Sequence, residues 1–234
     1  ALAVRARTDL KLRHVPLWLV RQMARHHKGK IVGDTLAAVI RRPDEIAEFL
    51  ALYWKDQRQP LSKQVKRGLA LAFAKFDAQA LDKWDRAGKV RLRDALFLCH
   101  AKPKDAEQDA TWKALIAGTL PNADTWEVSL SGGADKKVTF ERLLREQRLG
   151  YMALLMNLRN MVEAGVDRAL VEATLRDGAA HSMALPFRFV AAAKAAPSFA
   201  QALSDAMGLA ISGKTIAGDT AIVIDVSGSM DANL

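Results

Sequence analysis

Apolar side chains recur every three to four residues along most of the chain, which is the spacing of helices with one buried face. Residues 15–28 show the pattern, with Leu17 and Val20 on one face, Pro16 in the first turn and Gly29 just past the end. The same spacing predicts helices over residues 34–40, 43–53, 61–76, 77–86, 92–99, 105–117, 139–147, 151–163, 168–176, 187–195 and 197–209.

The helix predicted over residues 43–53 has a charged start. It opens on Pro43, and Asp44 and Glu45 follow in its first turn. Carboxylates are favoured there because the helix dipole is positive at the N-terminus. We therefore expect both acids to stabilise the beginning of this helix.

Two stretches depart from helical spacing. Residues 120–135 contain two glycines, a proline and an asparagine, which predicts a loop. Residues 220–225 form a continuous apolar run rich in β-branched residues, which predicts a strand buried on both faces. Such a strand needs neighbouring strands and covering helices.

About a dozen short helices with short connections, and no strand before residue 220, predict an all-α fold of stacked helix pairs. A helical-repeat solenoid of this kind presents a long curved surface to a large ligand. No fixed-period repeat is visible in the residues, so an irregular helical domain is the alternative architecture.

Charge is distributed unevenly along the chain. The net charge of the whole chain is +9, yet residues 1–104 alone carry +13 and the remainder −4. A basic half of this kind predicts a polyanionic partner, either nucleic acid or an anionic membrane surface. No apolar run reaches the length of a membrane span and no signal peptide is visible. The single cysteine, Cys99, excludes an internal disulfide and favours a reducing compartment, here the cytoplasm.

A candidate metal motif follows the predicted strand. Asp225, Ser227 and Ser229 have the Asp-x-Ser-x-Ser spacing of a metal-ion-dependent adhesion site, and Gly228 permits a tight turn between the serines. A carboxylate and two hydroxyls at the end of a buried strand are oxygen donors suited to Mg²⁺. The alternative is a turn whose Asp and Ser side chains cap backbone groups.

Several stretches together resemble the TROVE-domain family, that of the Ro autoantigen and its bacterial and phage relatives. They include a segment ending in His100-Ala-Lys102-Pro103 and a helix similar to the family's Ala-Leu-Leu-Arg-Asn-Leu motif. The stretches are residues 14–24, 94–103, 124–128, 139–144, 151–161, 185–189 and 225–229. Met156 stands where that family helix usually has Arg.

The resemblance implies a fold and a function. TROVE proteins resemble a ring of HEAT-like helix pairs closed by a von Willebrand factor A-like domain. They bind small structured noncoding RNAs (Y RNAs) outside the ring and single-stranded 3′ ends of misfolded RNAs at its hole. They act in RNA quality control, are associated with exoribonucleases in bacteria, and are not enzymes.

Applied to this chain, the resemblance implies an RNA-binding helical domain over residues 1–212. Residues 219–234 would begin a truncated A-like domain, and we expect the chain to be a slice of a longer protein. The remaining ligands of the metal site would then come from outside the chain, and Mg²⁺ would bind only once they are supplied.

The resemblance places Lys83, Arg86 and His100 where family members hold Y RNA. Other basic residues of the same region are expected to extend that patch by pairing with phosphates. They are Lys89, Arg91, Arg93, Lys102 and Lys104.

A second basic cluster lies on the helix predicted over residues 15–28. Arg21, Arg25 and Lys28 share one face, which lines the hole of the ring or is a solvated face. The five tryptophans lie at apolar helical positions, which favours a place in the core over base stacking. They are Trp18, Trp54, Trp84, Trp112 and Trp126.

The sequence leaves two functions open. The first is a non-enzymatic RNA-binding scaffold, and the second is a metal-dependent protein-interaction adaptor. A hydrolase is disfavoured because the chain has no P-loop, no Gly-x-Ser-x-Gly and no usable Cys/His pair. The basic first half favours RNA.

Overall fold

A computed structural model describes residues 2–88, 90–213 and 218, and all the regular structure it describes is helical. The chain divides into two compact units, the first ending at Asp124 and the second beginning at Thr125. The helices of the first unit are α1 (Leu2–Thr8), α2 (His14–His26), α3 (Ile31–Val39), α4 (Asp44–Tyr53), α5 (Lys63–Phe73), α6 (Ala78–Trp84), α7 (Leu92–Cys99) and α8 (Ala106–Ala117). Those of the second unit are α9 (Trp126–Ser131), α10 (Lys136–Arg145), α11 (Tyr151–Glu163), α12 (Arg168–Ala179), α13 (Pro186–Ala195), a 3-10 turn (Pro197–Phe199) and α14 (Ala200–Ile211).

The first unit is built around α3 and α5, which pack closely on each other. Helix α2 packs on α3 and on α4, and α7 joins α4 and α5 through its buried residues Leu92, Leu96 and Cys99. Polar side chains fix several helix starts. Ser62 accepts a hydrogen bond from the backbone N–H of Val65 at 3.3 Å, which caps α5.

The second unit packs its helices on near neighbours along the chain. Helix α12 lies against α14, α13 joins α11 and α14, and α10 contacts α9, α11 and α12. The core of this unit includes Phe140 and Phe189, and Tyr151 packs against it. The Tyr151 hydroxyl donates a hydrogen bond to the carbonyl of Leu175 at 2.8 Å. Burial raises the pKa of Tyr151 to about 12.

The described residues confirm the predicted all-α class, and the helical spacing located most elements. Both ends of α7 and α11 were predicted correctly, whereas α1 was not predicted. The start of α10 lies three residues before the predicted one, because Asp135 caps it by accepting from the backbone N–H of Val138 at 2.9 Å.

The prediction of a loop throughout residues 120–135 was wrong. Helix α9 lies inside this stretch, and the Thr125 hydroxyl caps it by accepting from the backbone N–H of Val128 at 3.3 Å. The loop-forming residues flank α9 on both sides, and only six helical residues lie between them. So short an amphipathic segment gives almost no periodic signal, and packing on α10 stabilises it instead.

Three further predictions concern the C-terminal segment, the limits of the helical domain and membrane spans. The strand predicted over residues 220–225 lies outside the described residues, as does the proposed A-like segment 219–234. The limits proposed for the helical domain, 1–212, stay a prediction. None of the helices described is both long and apolar enough to pass through a lipid bilayer.

Two glycines let α3 and α5 approach each other closely. A Cβ added to Gly68 would lie 2.7 Å from the carbonyl oxygen of Gly33 and 2.8 Å from the Cβ of Leu36. A Cβ added to Gly33 would lie 2.8 Å from the carbonyl oxygen of Gln64. Backbone atoms cannot yield as a flexible side chain can, so this crossing requires glycine on both helices.

We expect Gly68→Ala to destabilise the first unit by about 1–3 kcal/mol, because overpacking outweighs the better helix propensity of alanine. Gly208→Ala is the matched control, since Gly208 lies in α14 and a Cβ there would meet nothing within 4 Å. That control should stabilise by up to about 1 kcal/mol. Urea denaturation of both variants tests the close approach, and equal effects in the two would contradict it.

Candidate nucleic-acid interface

Two adjoining depressions on the first unit share Trp54, Arg58 and Leu98 and together form one groove, here called the Trp54 groove. One depression is lined by Trp84 and Arg86, and the other by Phe97 and His100. Trp54 holds its place because its indole N–H donates a hydrogen bond to the carbonyl of Gln59 at 2.8 Å. The guanidinium of Arg58 lies 5.2 Å from the centre of the Trp54 ring.

Cations surround the ring of Trp84 at one end of the groove. The guanidinium carbons of Arg42 and Arg86 lie 4.0 Å and 5.5 Å from the ring centre, and the Lys83 ammonium lies 5.7 Å away. Arg42 is also paired with Asp44, so its charge is partly compensated. Lys83 and Arg86 are exposed, and their charges are available to an anionic ligand.

His100 lies at the other end of the groove. It follows α7 in the left-handed backbone conformation, with φ of 53°, and its side chain is exposed. Non-glycine residues adopt this conformation rarely, and it places the imidazole beyond the helix end rather than in the core. Lys66 and the exposed Phe97 line the same depression.

The fold therefore brings only some of the residues predicted to bind RNA together in one groove. Arg86 and His100 line opposite ends of the Trp54 groove, and Lys83 lies beside Trp84. The remaining members of the predicted patch lie elsewhere or are engaged within the protein. Arg91 pairs with Asp85 at 2.9 Å, Arg93 lies 3.9 Å from Asp94, Lys102 and Lys104 are exposed, and Lys89 is outside the described residues.

The prediction that Arg21 belongs to an exposed basic face was wrong. Arg21 is only 5% exposed, and its guanidinium pairs with Asp56 at 2.5 Å. Arg25 pairs with the same carboxylate, and hydrogen bonds from Arg25 and then Arg21 hold the pKa of Asp56 below its usual range. Of the three residues in this cluster, only Lys28 is exposed and without an ion pair in the described part of the chain.

Part of the chain is similar to a known protein family. The family model named TROVE domain matches residues 105–213, from the start of α8 to the end of α14. This part of the chain, a little under half of its length, is similar to the TROVE domain family. The matched residues include the stretches around residues 139–144, 151–161 and 185–189 on which the resemblance was noted.

A solved structure extends the likeness beyond the TROVE domain match. The crystal structure of the Ro (RSR) protein of Deinococcus radiodurans is similar with a TM-score of 0.62 and 21% sequence identity. The similarity covers 92% of this chain and 56% of that one, so the chain spans about half the length of that protein. At this identity the likeness shows a Ro-like helical fold. None of the curated proteins matches the sequence significantly.

The structure adds groove residues that the sequence did not identify. Trp54, Arg58, Lys66 and Phe97 come from three separate segments, and none falls within the predicted patch. The prediction that the tryptophans are mostly core is borne out in part: Trp112 is buried, and Trp54 and Trp126 are partly buried against the two cores. Trp84 is half-buried, and Trp18 is 48% exposed. Within the residues that the family model matches, Met156 is 69% exposed, so its side chain points to solvent.

Cys99 is buried beside His100, and burial raises the pKa of its thiol to about 11. The thiol therefore stays protonated at neutral pH and is a poor nucleophile. We expect the thiolate fraction at pH 8 to be lower by about a hundredfold than in the unfolded chain. Alkylation with iodoacetamide should be slow in native protein and fast in guanidinium chloride, and equal rates would contradict the burial of this residue.

Metal binding has no support within the described part of the chain. There, no three side chains of His, Cys, Asp or Glu are grouped so that they could hold a metal ion. The predicted ligands Asp225, Ser227 and Ser229 lie outside the described residues, and Mg²⁺ at that motif stays a prediction.

Proposed function

We propose that this protein is a non-enzymatic RNA-binding scaffold that holds a small structured noncoding RNA of the Y RNA type on its first unit. The observation that carries the proposal is the Trp54 groove, which combines exposed cations with half-buried and exposed aromatic rings. Cations beside aromatic rings recognise both parts of RNA, because phosphates pair with cations and bases stack on rings.

The phosphate contacts would position the RNA without reading its sequence. Arg86 and His100 at the two ends of the groove, with Lys83 beside Trp84, supply donors over the length of the groove. The net charge of +13 over residues 1–104 adds a long-range field that attracts RNA at low salt. Lys102 and Lys104 add exposed basic side chains outside the groove, although Lys104 lies 3.7 Å from Asp105.

We extend the proposal to the finer roles that the family resemblance implies. These are binding of single-stranded 3′ ends of misfolded RNA, work with an exoribonuclease in RNA quality control, and a cytoplasmic location. The support for them is the similarity to the TROVE domain over residues 105–213 and the Ro-like fold. If the bound RNA is structured throughout and no nuclease co-purifies with the protein, these finer roles are contradicted, whereas binding of a structured RNA is not.

Recovery of bound RNA tests the proposal. The protein, carrying an affinity tag, is purified at low salt from the cells that encode it, and the extracted nucleic acid is sequenced. We expect one small structured RNA to dominate, and its release as salt rises from 50 to 200 mM, because phosphate-driven binding weakens steeply over that range. Protein free of nucleic acid at low salt would contradict the proposal.

The competing function is a protein-interaction adaptor, for which the second unit supplies one observation. Leu185, just before α13, and Phe187 and Val190, in its first two turns, are each at least half exposed. Exposed apolar side chains in sequence proximity are common at protein interfaces. Protein free of RNA that instead retains a partner protein through this segment would favour the adaptor.

A further inference from the structure

The depression at the His100 end of the Trp54 groove differs from its neighbour in charge. Arg58, Lys66 and His100 line it, and none of its lining residues is acidic. The depression at the Trp84 end has three carboxylates in its lining, those of Asp44, Glu48 and Asp94. Among the described residues, Arg58 and Lys66 form no ion pair, so their positive charges are not neutralised within the protein, and the His100 side chain is exposed beside them.

Phe97 gives this depression an exposed aromatic wall. Its neighbours Leu96 and Cys99 are buried in the first unit, whereas the Phe97 side chain is 59% exposed. The rest of the apolar lining is Trp54, Pro60, Leu61 and Leu98, and Trp54 is anchored through its indole N–H. An aromatic ring that the fold leaves in solvent, beside two unpaired cations and an exposed imidazole, is suited to a planar anionic ligand.

We propose that this depression seats one unpaired nucleobase against Phe97, while Arg58, Lys66 and His100 contact the phosphates on either side of it. The inference rests on the proposed RNA binding and specifies which part of the RNA lies here. It assigns to the groove a single-stranded loop, bulge or end rather than a continuous duplex.

The chemistry of the lining favours a base over other anions. Base stacking on an aromatic ring is strong and tolerant of sequence, because every base has a π-face. A continuous A-form duplex keeps its bases stacked inside and cannot offer one to Phe97. An acidic peptide would pair with the cations, but its carboxylates would gain little from the exposed ring.

Two hairpin RNAs of equal length test this inference, one fully paired in its stem and one with a single unpaired adenosine in the stem. Both are measured by fluorescence anisotropy against the whole chain. We expect Phe97→Ala to weaken binding of the bulged hairpin by between about 5-fold and about 150-fold. The same variant should change binding of the paired hairpin by less than about twofold, since only the bulged RNA loses a stacked base.

Further variants separate stacking from general apolar contact and from damage to the fold. Phe97→Trp should retain binding of the bulged hairpin, because the aromatic ring is kept. Phe97→Leu should weaken binding of that hairpin nearly as much as Phe97→Ala does, because an aliphatic side chain cannot stack on a base. Phe187→Ala is the matched control, because Phe187 is similarly exposed at 55% but lies on α13 in the second unit. It should leave both affinities unchanged.

A second readout reports stacking directly. With 2-aminopurine in place of the unpaired adenosine, binding to wild-type protein should change its fluorescence, and Phe97→Ala should remove most of that change. Equal losses for both hairpins, or no loss for either, would overturn the inference while leaving RNA binding intact. If wild-type protein binds neither hairpin but binds polyglutamate through Phe97, the proposed function fails as well.

Discussion

Replacing Glu45 by glutamine is expected to lower the free energy of unfolding of the first unit by about 3–5 kcal/mol. The Glu45 side chain is fully buried at the start of α4 and pairs with Arg7 at 2.5 Å, whose own side chain is 11% exposed. Its other oxygen accepts hydrogen bonds from the backbone N–H groups of Arg41 and Arg42 at 2.8 Å and 3.2 Å. Removing the carboxylate charge leaves the Arg7 guanidinium buried without a counter-ion.

Urea denaturation followed by tryptophan fluorescence measures this loss, because four of the five tryptophans lie in the first unit. Glu163→Gln is the matched control. Glu163 is 58% exposed and forms a surface pair with Arg159 at 3.4 Å in the second unit, so its loss should change stability by less than about 0.5 kcal/mol. A Glu45→Gln variant as stable as this control would contradict the burial of the pair.

The double variant Lys83→Ala/Arg86→Ala is expected to weaken binding of structured RNA by roughly a hundredfold at physiological salt. The reason is that two charge-assisted contacts to phosphate are lost, each contributing about 1.5 kcal/mol or more. The slope of log affinity against log salt should also fall by about 2, one for each phosphate contact removed. His100→Ala should also weaken binding, because the exposed imidazole at the other end of the groove is lost.

The control for charge removal is Lys136→Ala/Arg176→Ala, which takes the same two residue types from the second unit. Both residues are exposed, and neither has an ion pair in the described part of the chain. If the two double variants weaken binding equally, the effect is one of net charge, and the assignment of Lys83 and Arg86 fails.

The helices could be predicted from the sequence because most have a local signal at each end. Helix α11 begins after Gly150 and its apolar residues keep the helical spacing, so both ends were predicted correctly. Helix α9 was missed because six residues between loop-forming segments give no periodicity. Helix α1, also short, has no acid in its first turn.

Side-chain roles were harder to predict because the deciding partners lie far along the chain. Arg21 shares a helical face with Arg25 and Lys28, yet it is four residues from the buried Leu17 and pairs with Asp56, 35 residues away. Glu45 was predicted to act on the helix dipole, and its burial against Arg7 depends on a contact across 38 residues. Periodicity carries no information on such pairs.

Only some residues of the Trp54 groove could be identified from the sequence. The resemblance directed attention to Arg86 and His100, and the fold places both in the groove. Arg58, Lys66 and Phe97 join them only through the packing of α4, α5 and α7. No motif links these residues in the sequence, so their common site could be found only in three dimensions.

Ultraviolet cross-linking of the protein to its bound RNA, with the cross-linked residues located by mass spectrometry, decides whether RNA lies in the Trp54 groove. We expect cross-links in the first unit, concentrated at the residues that line this groove. They should occur at Trp54, Phe97 and His100, which all line the groove. Cross-links confined to the second unit, or none in protein that retains RNA, would contradict RNA binding in the Trp54 groove.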